Sequence, residues 1–106
     1  MLALYRLAAT LARPWVDGYL EKRVTRGKED PARIDERRGI ASRTRPDGPL
    51  AWMHAASVGE SVALLPLIGR LRVERPDLNL LVTTGTVTSA ATMARRLPDG
   101  VLHQFV

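Results

Sequence analysis

With 106 residues and 45% hydrophobic content, the chain holds at most one domain, and that content supports a real core and argues against wholesale disorder. It has no cysteine, which excludes disulfides, zinc–thiolate sites and cysteine nucleophiles, and two histidines alone make a poor metal site. A net charge of +5 points to an anionic partner: nucleic acid, a phosphorylated ligand or an acidic membrane surface. The alternative is that arginine-rich solvated faces only keep the protein soluble. An aromatic content of 5% argues against a base-stacking platform.

Residues 1–20 read as an amphipathic helix. Leu4, Ala8, Leu11 and Trp15 share one face, with Arg6, Thr10, Arg13 and Asp17 opposite. Charges recur too often for a transmembrane span, and Arg6 and Arg13 interrupt what a signal peptide would keep apolar. Two readings stay open: a helix lying in a membrane interface, or a helix packed on the chain's own core. Pro14 is expected to end or kink it.

Residues 21–49 form a basic connector. Within it Asp30 can cap a short helix that has Pro31 at its first position and Gly39 just past its end. Arg37 and Arg38 then fall in the last turn, where they complement the helix dipole. The turn Arg45-Pro46-Asp47-Gly48-Pro49 closes the segment. The belt is either a phosphate or headgroup surface or a connector that touches nothing.

From residue 50 the pattern becomes alternating strand and helix. Strands are expected at Leu50–Ala56, Leu78–Thr84 and Val101–Val106, and helices at Glu60–Glu74 and Ser89–Leu97. Val62, Leu65, Ile68 and Leu71 should face the sheet, with Pro66 as a kink. The apolar run Leu80 to Val82 suggests burial on both faces, and Trp52 reads as core. The order β-α-β-α-β with short connections implies an α/β fold with a Rossmann-like parallel sheet and right-handed crossovers. The last run has no turn, cap or polar tail behind it, so the chain is expected to be the front portion of a longer protein.

Two turns carry the chemistry. Ser57-Val58-Gly59-Glu60 places a carboxylate at a strand–turn–helix junction, where open α/β sheets put their ligands. It also matches a capping box, in which Ser57 bonds the amide of Glu60 and Glu60 reaches back to the amide of Ser57. Alternatively, Glu60 sits at the positive end of the helix dipole, which favours negative charge, and is placed to act as a general base. Gly59 allows close approach of a ligand, and free amides there can hold a phosphate or carboxylate. The second turn, Thr83-Thr84-Gly85-Thr86-Val87-Thr88-Ser89, clusters hydroxyls suited to sugar or phosphate. Its structural reading makes Thr88 or Ser89 an N-cap and Thr83 and Thr84 β-branched strand residues. Ser57, Gly59, Thr84, Thr86 and Thr88 are the candidate ligand contacts. No P-loop, dinucleotide fingerprint or nucleophile elbow is present. His54 and His103 read as satisfied strand histidines.

Together, Trp52-Met53-His54-Ala55-Ala56-Ser57-Val58-Gly59-Glu60, Leu65-Pro66-Leu67-Ile68, Arg75-Pro76-Asp77-Leu78 and Val82-Thr83-Thr84-Gly85-Thr86-Val87-Thr88-Ser89 resemble the start of the 3-deoxy-D-manno-octulosonic acid (Kdo) transferases. Gly27-Lys28-Glu29-Asp30 and Glu36-Arg37-Arg38-Gly39 resemble that family's basic N-terminal segment. The resemblance implies the partial N-terminal, acceptor-binding domain of a GT-B glycosyltransferase over residues 50–106. Such enzymes move Kdo from CMP-Kdo to a lipid A precursor (lipid IVA) at the cytoplasmic face of the inner membrane, in lipopolysaccharide synthesis. It further implies inverting transfer, no cofactor, no essential metal, and Glu60 as the catalytic base. The donor site would lie in a later domain, so residues 1–106 alone are expected to be inactive. A non-catalytic basic module that binds a membrane surface and a phosphorylated ligand is the competing reading. A nucleic-acid binder lacks any recognition motif.

Overall fold

The computed structural model describes residues 1–106. In chain order it contains α1 (Leu2–Thr25), a 3-10 helix (Pro31–Arg38), β1 (Leu50–Ala55), α2 (Val58–Glu74), β2 (Asn79–Thr84), α3 (Val87–Arg96) and β3 (Leu102–Phe105). The three strands form one parallel sheet in the order β1-β2-β3. The α/β class and the alternation of elements agree with the sequence reading, with boundaries moved by one to two residues in the second half.

The core lies between the sheet and the pair α2 and α3. Ile68, Leu80, Val82 and Met93 are buried, with Met53, Leu64, Leu65 and Leu71 packed around them. Leu64 takes the place expected of Val62, because the buried stripe of α2 centres on Ile68 and runs through its neighbours three and four residues away. Full burial of a side chain such as Ile68 contributes about 2 kcal/mol. α2 runs through Pro66 and begins two residues before Glu60, capped by Ser57.

Only one face of this sheet is covered. Register pairs Trp52 with Leu81 and His54 with Thr83, and strand alternation turns these four residues away from α2 and α3. Trp52 is therefore 66% exposed, not core. Leu81 is half-buried, so β2 is not closed on both faces. The indole N–H of Trp52 donates to Thr83 Oγ1 at 2.9 Å, and His54 Nδ1 lies 3.0 Å from the same hydroxyl. An open groove of about 340 Å³ on this face is lined by Ile40, Trp52, Leu81 and Phe105 among others, and it does not include Glu60.

α1 does not end at Pro14 but continues to Thr25. A helix packed on its own core by its apolar face is not what is found: Leu4, Leu7, Leu11 and Trp15 are exposed, and only Leu20 is buried. α1 meets the body through its C-terminal half, where Leu20 is buried and Asp17 accepts from Arg38 at 3.0 Å, while residues 1–16 are exposed on every side. No helix is long and apolar enough to cross a membrane.

The 3-10 helix follows the expected signals. Asp30 accepts from the Ala32 amide at 2.9 Å, Pro31 opens the helix, and Gly39 ends it at a φ of 79°. Its basic residues are not the solvated connector that composition suggests. Arg33 Nη2 donates to the His103 carbonyl at 3.1 Å and Arg37 Nη1 to the Val106 carbonyl at 2.7 Å. Glu36 Oε2 accepts from the Phe105 amide at 3.0 Å. Both guanidiniums lie over the Phe105 ring, with centroid distances of 4.7 and 4.8 Å. The segment thus closes the outer edge of β3 with side chains, satisfying backbone groups that a further strand would otherwise pair.

Two titratable groups in this clamp make the fold acid-sensitive. Burial, reinforced by the Arg33 guanidinium and opposed by Glu36, lowers His103 from 6.5 to about 4. Arginine only donates, so Nδ1 accepts from Arg33 at 3.1 Å and Nε2–H donates to Thr84 Oγ1 at 2.8 Å. Burial opposes the charge on Glu36, but the Phe105 amide, the Ser42 hydroxyl and Arg33 outweigh it and hold the carboxyl below 4.5. The unfolded chain therefore binds more protons than the folded one at both sites as pH falls. The stability from neutral His103 is complete above 6.5 and is lost toward about 4. That from ionised Glu36 is complete above 4.5 and is lost as pH falls through its lowered value. Melting curves between pH 7.5 and 4 should show a falling midpoint, and His103→Gln should flatten the upper part of the fall. An unchanged slope in that variant would assign the loss elsewhere.

Candidate functional site

The site forms where β1 and β2 end. The register places Ala55 beside Thr84, so the β1–α2 and β2–α3 loops leave the sheet side by side. They run close together: a Cβ added at Gly85 would stand 3.5 Å from the Ala56 carbonyl. Each loop turns directly into a helix whose cap side chain accepts from one first-turn amide. Ser57 is extended and its Oγ accepts from the Glu60 amide at 3.2 Å. Thr86, not Thr88 or Ser89, caps α3, and its Oγ1 accepts from the Ser89 amide at 3.1 Å. The capping role fell to Thr86 because it is the last extended residue before the helix.

Glu60 is exposed in the first turn of α2. Its Oε2 accepts from the Ala56 amide at 2.7 Å. The capping box is thus present with its return bond shifted one residue earlier than the expected Ser57 amide. No protein hydrogen bond engages Oε1, so one oxygen is held while the other faces solvent. Chemically, this is an oriented carboxylate able to accept a proton from a hydroxyl placed against it.

The other candidates divide. Ser57, Gly59, Thr86 and Thr88 are exposed around Glu60's end of the sheet. A Cβ at Gly59 would meet only Ser57 Oγ, at 4.0 Å, so space for a ligand is open there. Thr84 is a correction: it is fully buried on the helix side, and its hydroxyl accepts from His103. Strand alternation turns it inward, and it is no ligand contact. No group of three or more His, Asp or Glu side chains is arranged to hold a metal ion.

Sequence reasoning missed Arg37 and Glu29. Arg37 Nη2 donates to the Gly85 carbonyl at 2.6 Å, and its Nε donates to Glu29 Oε2 at 2.8 Å. Glu29 Oε1 accepts in turn from Arg23 of α1 at 2.8 Å. The available signal was weak: Glu29-Asp30 and Asp35-Glu36 are acidic pairs set among arginines, the residues suited to bidentate carboxylate partners.

The chain is thus a parallel α/β half with a carboxylate and hydroxyls at the carboxyl ends of neighbouring strands, the end at which open α/β sheets bind their ligands. Residues 32–106 match the family described as 3-Deoxy-D-manno-octulosonic-acid transferase (kdotransferase). The chain is 40% identical over 102 residues to the probable 3-deoxy-D-manno-octulosonic acid transferase, mitochondrial, of Arabidopsis thaliana, covering 96% of this chain and 23% of that protein. It is 35% identical over 106 residues to the 3-deoxy-D-manno-octulosonic acid transferase of Rickettsia bellii, covering all of this chain and 25% of that one. Against the enzyme of that name from Chlamydia trachomatis serovar D, identity is 49% over 55 residues, or 52% of this chain and 12% of the relative. The chain spans about a quarter of the length of the first two relatives. No solved structure matches it. The chain belongs to the 3-deoxy-D-manno-octulosonic acid transferase family and corresponds to an N-terminal fragment of its members.

Proposed function

We propose that this chain is the acceptor side of an inverting Kdo transferase, with Glu60 as the general base. The carrying observation is the Glu60 carboxylate: exposed, at the end of β1, one oxygen held by the Ala56 amide and the other free. In this reading Kdo passes from CMP-Kdo to a lipid A precursor (lipid IVA), a step of lipopolysaccharide synthesis. Glu60 takes the proton from the acceptor sugar hydroxyl as its oxygen attacks the anomeric carbon, and CMP departs with the bonding pair. One carboxylate suffices, because a single displacement forms no sugar–enzyme intermediate. Ser57, Gly59, Thr86 and Thr88 contact the acceptor. The donor site belongs to a second Rossmann-like domain that completes a GT-B fold, and residues 50–106 begin the first.

α1 supplies the membrane address, at the cytoplasmic face of the inner membrane. Its exposed apolar arc, with Trp15 82% exposed, suits the acyl boundary, and Arg6, Arg13, Lys22 and Arg26 form no ion pair within the chain. Vesicles containing anionic lipid should co-sediment the full-length protein, less so at high salt. Leu11→Asp combined with Trp15→Asp should abolish this binding; retention by the double variant would refute the role of α1.

The capping geometry at Glu60 favours a second reading, a non-catalytic module in which this carboxylate only fixes the start of α2. Transfer assays on full-length Glu60→Gln, with CMP-Kdo and lipid IVA, separate the two. Loss of transfer with fold and vesicle binding intact supports the base. Near-normal transfer by a stable Glu60→Gln protein supports the cap, because glutamine keeps an oxygen for the Ala56 amide.

A further inference from the structure

The Arg37 guanidinium is the point where three segments meet. It is 11% exposed and donates from three nitrogens: Nε to Glu29, Nη1 to the Val106 carbonyl and Nη2 to the Gly85 carbonyl. Gly85 opens the turn that carries Thr86 and leads to Thr88 in the first turn of α3, and a Cβ at Gly85 would stand 3.5 Å from the carbonyl of Ala56, the residue whose amide holds Glu60. On the far side, Glu29 is buried and divides its two oxygens between Arg37 and Arg23 at the end of α1. A continuous path of direct contacts thus runs from α1 to the loop at the site.

We propose that Arg37 is a positioning residue for the acceptor: it fixes the Gly85–Thr86 turn against the β1–α2 loop, and Glu29 orients it from the end of α1. The proposal rests on the reading of Glu60 and these loops as the acceptor site. No other side chain donates to the Gly85 carbonyl, so without Arg37 the loop loses its only side-chain tether there. The trident geometry explains why arginine is required. Lysine keeps the charge but is a point donor without the planar fork that reaches three acceptors at once. Because Arg37 acts on the loop and not on the donor, its loss should fall on acceptor use alone.

The test uses the full-length enzyme with saturation kinetics for both substrates. Folded Arg37→Ala is expected to lose on the order of 100-fold in kcat/KM for lipid IVA, the scale of a small misplacement of positioning groups, with the KM for CMP-Kdo unchanged. Added guanidinium should restore part of that activity, which a merely structural loss would not allow. Arg37→Lys should show the same acceptor defect. Wild-type acceptor kinetics in folded Arg37→Lys, or equal losses for donor and acceptor in folded Arg37→Ala, would overturn the proposal. If Arg37→Ala does not fold, Glu29→Gln decides: an acceptor-specific loss supports it and unchanged acceptor kinetics overturns it. Glu60→Gln run in parallel tells the two readings apart. An inactive Glu60→Gln beside an acceptor-normal Arg37→Lys sinks only the Arg37 proposal, whereas a fully active Glu60→Gln removes the ground of both.

Discussion

Glu60→Gln in the full-length enzyme is expected to lower kcat by about 10²–10⁴-fold, the usual contribution of a positioned general base. The same substitution should cost less than about 1 kcal/mol of stability, within the range of a lost helix cap. The reason lies in the bond that Glu60 makes. Glutamine keeps a side-chain oxygen that can accept from the Ala56 amide, so the turn stays satisfied while the proton acceptor is gone. Glu60→Ala removes both functions and should lose activity and stability together. Transfer rates, read beside thermal melting for the two variants, separate base from cap. Near-normal transfer by a stable Glu60→Gln protein would end the catalytic reading. Activity lost only in Glu60→Ala, in step with its melting temperature, would leave the carboxylate as a helix start.

Glu36→Ala is expected to be a strongly damaging change to the fold, at about 2–3 kcal/mol, the cost of leaving the buried Phe105 amide without its acceptor. Glu36 is 5% exposed. Its carboxylate accepts from Arg33 Nε and Nη2 at 3.2 and 3.1 Å, from the Ser42 hydroxyl and from the Phe105 amide. Alanine removes the carboxylate partner of Arg33, which keeps the His103 carbonyl, and leaves the Phe105 amide at the edge of β3 without an acceptor. Against a total stability of about 5–15 kcal/mol, that is a large fraction. The melting midpoint should drop by something on the order of 15 °C. Glu36→Gln, which still offers one oxygen, should lie between wild type and alanine. A drop of a degree or two in Glu36→Ala would show that the 3-10 helix is dispensable to the sheet edge. Arg23, Arg33, Arg37 and Arg38 are all engaged with carboxylates, whereas Lys22, Arg26, Lys28, Arg43 and Arg45 form no ion pair.

Much of the site was legible in the sequence because its signals are local. A strand that stops at Ser57-Val58-Gly59-Glu60 and restarts as an apolar-periodic helix specifies its own turn, cap and carboxylate position within ten residues. The same holds for Asp30, Pro31 and Gly39 around the 3-10 helix. The errors share one cause: they concern which side of an element faces something distant. Trp52 looked like core because it is large and apolar, yet register turns it to the uncovered face of the sheet. Thr84 looked like a ligand contact because it adjoins the loop, yet alternation turns it under α3 and onto His103.

By itself, then, the sequence determined the order of elements, the parallel α/β class, the helix starts and the placement of Glu60 at a strand end, since each follows from periodicity and capping between near neighbours. Tertiary structure alone decided the fate of the arginines. Whether a guanidinium is solvated or locked depends on acceptors far along the chain, and Arg37 finds Gly85 and Val106 only because β2 and β3 pair in one particular register. It also decided where α1 meets the body, because the segment carrying Arg38 folds back beside its C-terminal half, where Asp17 meets Arg38 and Leu20 is buried.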